Sequence, residues 1–235
     1  MVLTETPLLY LAPNLWLQTF PFKTLGVDLQ RNVTILRLAS GKLILHSSAP
    51  FSADDVATIE ELGRPAWLID TLLRHDTFAA EGRGAFPQAK YLAPPGFSIN
   101  LPFQTEALLA APSEWAGEVE IVPIDGVPDF GEIVFFHLPS RTLIVADLVV
   151  NFPGEHGLWA NLLLHFASAG GRHDPGMTVL FKKAVLDREA FVRSINRVLA
   201  WDFDRVIVGH GEPIETGGKE KLRAAVRAAG FSEIG

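Results

Sequence analysis

Apolar residues in this chain gather mostly in short, β-branched runs. Leu8 to Leu11, Leu15 to Thr19, Val33 to Leu38 and Leu43-Ile44-Leu45 follow one another closely, with Ser40-Gly41-Lys42 as a turn between the last two. That spacing predicts an antiparallel meander. Further strands are predicted at Ala66 to Asp70, Tyr91 to Ala93 and Val119 to Ile124, with a hairpin formed by Ile133 to His137 and Leu143 to Val149. A last strand, from Val206, ends at His210. Helical signals lie between these runs. Ser52 precedes Ala53-Asp54-Asp55 as a natural N-cap, with Gly63 and Pro65 as the stop near Leu62. Asp187 to Trp201 carries Phe191, Ile195, Val198 and Leu199 at helical spacing, and Lys219 to Ala229 closes the chain with another helix. Residues 152–178 are rich in Gly and His, with weak periodicity, and read equally as a lid or as a helix around Leu158 to Phe166.

Two predicted strands end on metal-capable side chains. Val206-Ile207-Val208 runs into Gly209-His210-Gly211, where the glycines let the backbone turn sharply and let a ligand approach. Ser140-Arg141-Thr142-Leu143-Ile144-Val145-Ala146-Asp147 is a turn, a strand and a carboxylate. The opening of this second segment echoes Ser40-Gly41-Lys42-Leu43-Ile44-Leu45. Chance likeness of two hairpins explains the echo, and so does a duplicated strands-then-helix half. The order of elements suits layers of sheet and helix: an α/β (α+β layers) fold, residues 1–235 forming one domain.

Composition narrows the function. The net charge of -7 and the lack of a basic stripe argue against a nucleic-acid partner. The absence of cysteine excludes disulfides, zinc ribbons and thiol catalysis, and fits a reducing, cytoplasmic setting. The first residues lack a basic n-region and a long apolar stretch. No run reaches the ~18 apolar residues of a membrane span, so no membrane partner is expected. Neither a Gly-x-Ser-x-Gly elbow nor a glycine-rich phosphate loop occurs.

The stretch after the Ala66–Asp70 strand, Thr71-Leu72-Leu73-Arg74-His75-Asp76-Thr77, together with Phe86-Pro87-Gln88-Ala89-Lys90, the Asp147 hairpin and the Gly209-His210-Gly211 turn, resembles the metallo-β-lactamase-fold superfamily from Trp16 to His210. More narrowly, the chain looks like its diverged DUF4336 branch. The resemblance implies a four-layer αββα sandwich with metal ligands in loops along one edge. The family's Thr-His-x-His-x-Asp-His motif would place histidines at Leu72, Arg74 and Thr77, so only Asp76 keeps a ligand position. The Gly-His-x-x-Gly turn is replaced by Gly126-Val127-Pro128-Asp129-Phe130-Gly131, without histidine. Asp147 matches the bridging aspartate and His210 the last histidine.

What the resemblance implies is a mononuclear site for one divalent ion (Zn, Mn or Fe) held by Asp76, Asp147 and His210, with His75, one residue out of register, as a further ligand. Asp147 and His210 would then carry the chemistry of a hydrolase acting on an ester, amide or phosphoester of a small molecule. Each residue also has a plainer role. Asp147 can cap a turn, His210 can fix one, Asp76 can cap a helix, and His75 can lie on the surface. Arg74 offers a guanidinium in place of a lost cation, pairing with Asp76 or Asp147, which would leave a metal-free binding or scaffold protein. His46-Ser47-Ser48 follows a strand and reads chiefly as packing. His137, His156, His165 and His173 show no tight ligand spacing.

Overall fold

The protein is described by a computed structural model that covers residues 7–24, 27–97, 101–153 and 174–235. Residues 154–173, which hold most of the expected lid, the whole of the alternative helix from Leu158 to Phe166, and His156, His165 and His173, lie outside the described residues.

The meander appears where the pattern placed it. Strands β1 (Leu8–Ala12), β2 (Leu15–Phe20), β5 (Arg31–Arg37) and β6 (Lys42–His46) pair antiparallel in turn. A small hairpin of β3 (Lys23–Thr24) and β4 (Val27–Asp28) lies between β2 and β5 in sequence. Helix α1 (Ala53–Leu62) starts at Ser52, which forms a reciprocal capping box with Asp55. It returns the chain to β7 (Arg64–Ile69), parallel to β6. Helix α2 (Ala79–Ala85) leads to β8 (Lys90–Ala93) and then β9 (Glu106–Ala107). These seven strands form one sheet in the order β1-β2-β5-β6-β7-β8-β9. The second sheet has the order β10-β11-β12-β13, from β10 (Val119–Pro123), β11 (Ile133–His137), β12 (Thr142–Ile144) and β13 (Arg205–Ile207). Helices α3 (Val179–Ala184), α4 (Arg188–Ala200) and α5 (Gly218–Ala228) accompany it.

The alternation of side chains sorts these elements into four layers. Leu36, Ile44, Trp67 and Ile69 of the first sheet meet Ile133, Phe135, Ile144 and Ile207 of the second in a core between the sheets. Their neighbours face outward. Val33, Ile35, Leu43 and Leu68 pack with Ile59 of α1 and Ala79 of α2. On the far side, Val134, Phe136, Leu143 and Val206 pack with Phe181 of α3, Phe191, Ile195 and Val198 of α4, and Leu222 and Val226 of α5. The result is the αββα sandwich. The echo is structural as well. Gly41 and Arg141 both take positive φ (77° and 51°) before a strand whose central isoleucine, Ile44 or Ile144, faces between the sheets. Each of those strands then has a parallel neighbour, β7 or β13.

Two strands are shorter than the apolar runs suggest. The run expected to reach Val149 leaves the ladder after Ile144, apart from Val145 N–H donating to Ile207 O and Ala146 O accepting from Gly209 N–H. The amides of Ala146 and Asp147 go instead to the carboxylate of Glu132. Strand β13 stops at Ile207 rather than His210, because the carbonyls of Val208 and Gly211 accept from the side-chain amide of Asn32.

Candidate metal centre

Both shortened strand ends, and the loop after β7, open on the same edge of the sandwich. After Ile69 the chain turns so that Leu72, fully buried, enters the outer core of the second sheet. Leu73 N–H donates to Phe130 O, and His75 N–H to Leu72 O. The loop is thereby rebuilt, with Leu72 as packing and His75 buried toward Asp147. His75 Nε2 lies 3.1 Å from Asp147 Oδ1, and His210 Nε2 lies 3.5 Å from the same oxygen. Nitrogen and oxygen donors of all three residues fall within 4.8 Å of one another.

The placement of His210 follows from its glycines. Gly211 has φ +91°, and a Cβ there would sit 2.0 Å from Asn151 O. A Cβ on Gly209 would sit 2.7 Å from Ala146 O. Only glycine lets the turn pass this close to the neighbouring strand end. Asn32 N–H bonds Gly209 O, which ties the turn back to the first sheet.

Tautomer and charge can be assigned from partners. His210 Nδ1 lies 2.6 Å from Gln30 O, and a carbonyl only accepts, so Nδ1 carries the proton and Nε2 offers a lone pair. Desolvation lowers the His210 pKa to about 4, with Asp147 opposing the shift. Burial alone would raise the Asp147 pKa. The His75 and His210 imidazoles and the Arg31 guanidinium outweigh that and hold it below the usual carboxylate range. Two imidazole nitrogens thus converge on one carboxylate oxygen, an arrangement that a shared cation would join. Four ligands about 2.0–2.1 Å from a tetrahedral Zn ion stand about 3.3 Å apart, close to both observed separations. The buried His75 Nδ1 has no hydrogen-bonding partner among the described residues. The donor set, two imidazoles and one carboxylate, fits a borderline divalent ion such as Zn, Mn or Fe(II).

Other expected residues fall elsewhere. Asp76 is exposed as the first residue of a single 3₁₀ turn, Asp76–Phe78, and lies outside the three-residue group. Arg74 is exposed and lays its guanidinium over the Phe130 ring, pairing with neither Asp76 nor Asp147. The buried cation of this edge is Arg31, at the head of β5. Its Nη2 donates to Asp70 Oδ1 (3.3 Å) and His75 O (3.2 Å), and its Nε to Ser48 O. Burial lowers its pKa, while Asp70 and Asp147 oppose the shift, and arginine stays charged. Ser48 and Tyr91 complete the hydrogen bonding of Asp70. His46 turns inward, edge-on to Phe135, as a packing residue, and desolvation lowers its pKa to about 3. Phe22 stacks on the His210 ring and meets Phe78.

Sequence reasoning missed Arg31, Asn32 and Glu132. The signal was present in each case: a charged or amide side chain directly abutting an apolar strand run, where burial demands a partner.

At the level of sequence, no protein-family model and no curated protein matches the chain. Solved structures do. A metallo-β-lactamase from Pontibacter korlensis superposes with a TM-score of 0.68 at 12% identity, over 96% of this chain and 99% of that one. A metallo-β-lactamase from Erythrobacter litoralis gives 0.65 at 15%, over 97% and 98%. The metallo-β-lactamase FIM-1 from Pseudomonas aeruginosa, in a mono-zinc form, gives 0.61 at 16%, over 96% and 95%. The chain has the metallo-β-lactamase fold, with a His-Asp-His group able to take a divalent ion at one edge of the sandwich. No helix among the described residues is long and apolar enough to cross a membrane.

Proposed function

We propose that this chain is a hydrolase-like protein that binds one divalent ion through His75, Asp147 and His210, a diverged site of the DUF4336 kind. The observation that carries the reading is the convergence of His75 Nε2 and His210 Nε2 on one Asp147 oxygen, with donors of all three residues within 4.8 Å of one another. When bound, such an ion supplies Lewis acidity toward an ester, amide or phosphoester oxygen and acidifies water. His75 and His210 would hold it through imidazole nitrogens, and Asp147 would supply the negative charge. Gln30 fixes the His210 tautomer and ring orientation, the outer contact that ligating histidines use. Arg31 favours a mononuclear site, because a fixed buried cation beside these ligands opposes a second one. In this reading Asp76 leaves the donor set and His75 replaces it. The half-buried Phe22 and Phe78 suit a small-molecule substrate with an apolar part. The absence of cysteine and the net charge of -7 support a cytoplasmic protein without a nucleic-acid partner.

The test is metal analysis of protein purified without chelator or histidine tag, beside Asp147→Ala and His210→Ala. The expected result is about one Zn, Mn or Fe per chain, lost in both variants. A wild type that stays metal-free after reloading overturns the reading. A metal-free scaffold would then stand, and the observation favouring it is Arg31, which already places a cation near Asp147.

A further inference from the structure

Glu132 has no solvent exposure, and it sits at the junction of the loops that bring the three donors together. Its carboxylate accepts the amide of Ala146 at 2.8 Å through one oxygen and that of Asp147 at 3.0 Å through the other. The amide of Leu148 adds to the same group. These are the amides that leave the β12 ladder, so the acid turns the strand end and sets the direction in which the Asp147 side chain departs. The backbone around Glu132 reaches the other ligand loop as well. Ile133 N–H donates to Thr71 O, and Phe130 O accepts from Leu73 N–H. A buried acid carries a large desolvation cost, and here backbone amides of one turn offset it. Capping a strand end does not require an acid. Holding consecutive amides of one turn at two fixed points does, because a carboxylate has two acceptor oxygens on one rigid plane.

We infer that Glu132 is the positioning residue of the metal centre: its carboxylate clamps the Ala146–Asp147 turn so that Asp147 meets His75 and His210. The inference rests on Asp147 being a ligand. Glu132 touches neither substrate nor ion.

The test is Glu132→Gln, which keeps the volume but sets a carboxamide NH₂ against one of the two backbone donors. Zn(II) affinity is measured by competition with a chromophoric chelator, and ligand geometry by the absorption spectrum of Co(II)-loaded protein. The expected result is a roughly 10–100-fold loss of affinity, the range for outer-contact residues of metal sites, with a changed Co(II) spectrum. Ser194→Ala removes a buried hydroxyl elsewhere, the acceptor of Asp125 N–H on the α4 side, and loses stability without altering the spectrum. A folded Glu132→Gln with wild-type affinity and spectrum overturns the inference. Should Glu132→Gln not fold, Glu132→Asp, which keeps the charge one methylene short, carries the same readouts. If wild type binds no ion, the metal reading falls and a metal-free readout decides for Glu132: the ring ¹⁵N signals of His75 and the amide ¹H shifts of Ala146 and Asp147. Loss of the His75–Asp147 hydrogen bond in Glu132→Gln supports the clamp, and unchanged ring signals overturn it.

Discussion

The two turn-strand units of this fold run into opposite fates. The first, through Gly41 and Ile44, ends in His46 and Ser47, both buried. The second, through Arg141 and Ile144, ends in Ala146 and Asp147, whose side chain keeps 20% of its exposure. Beside the first unit, Asp70 is matched by Arg31, Ser48 and Tyr91, so its charge is consumed inside the protein. Beside the second, Glu132 takes the backbone amides and leaves the Asp147 carboxylate to the histidines. A strand end in this architecture is an address. Whether it becomes core or chemistry depends on which neighbour satisfies its polar groups.

Breaking the closed half has the largest expected effect. Arg31→Met leaves Asp70 in the interior with Ser48 and Tyr91 but without its cation, and should cost about 3–5 kcal/mol in urea unfolding. Arg31→Met with Asp70→Leu should recover much of that loss, and a double variant no better than the single one would sink the pairing argument. On the open half, Gly211→Ala forces a Cβ toward Asn151 O at positive φ. It should cost about 2–3 kcal/mol and weaken ion binding together with stability.

A pH titration sharpens the contrast. The His46 pKa is lowered from 6.5 to about 3 by burial, with smaller contributions from His75 and Arg31. The unfolded chain therefore binds this proton before the folded one does. Its contribution is complete above pH 6.5 and is lost as pH falls toward 3, at up to about 1.4 kcal/mol per pH unit. His46→Phe keeps a ring against Phe135 and should flatten the acid limb of stability relative to wild type. Equal slopes in the two proteins would count against the assignment. The smallest effect is expected at Ser52→Ala, which removes the α1 cap for about 1 kcal/mol and leaves ion affinity unchanged. A change in affinity there would show that the halves are coupled more tightly than their contacts suggest.

Much of the fold was legible in the sequence because each layer imposes its own period. The alternation in Val33 to Leu36, the cap at Ser52 and the stripe from Phe191 to Leu199 all follow from local chemistry. Asp147 and His210 stood out for the same reason, each closing an apolar strand. His75 was visible as a histidine near the right place, but its turn toward Asp147 depends on Leu72 being drawn into a core from another part of the chain. Arg31 and Glu132 were hidden further, since their partners Asp70 and Asp147 lie far away in sequence. The guanidinium expected at Arg74 came instead from β5, because a buried cation must sit where the interior holds a carboxylate for it, and Asp70 is that carboxylate.

The parallel pairing of β12 with β13 has a kinetic consequence. The seven-stranded sheet grows by joining strands that are mostly near neighbours in the chain. Strand β13 must instead find β12 across the long excursion from Thr142 to Arg205. Loop closure of that length makes its docking a late event in folding. His210 follows that strand by three residues, so the donor group is incomplete until the tertiary structure is nearly finished. An ion captured there would act as a latch on the final step, slowing unfolding more than it speeds folding.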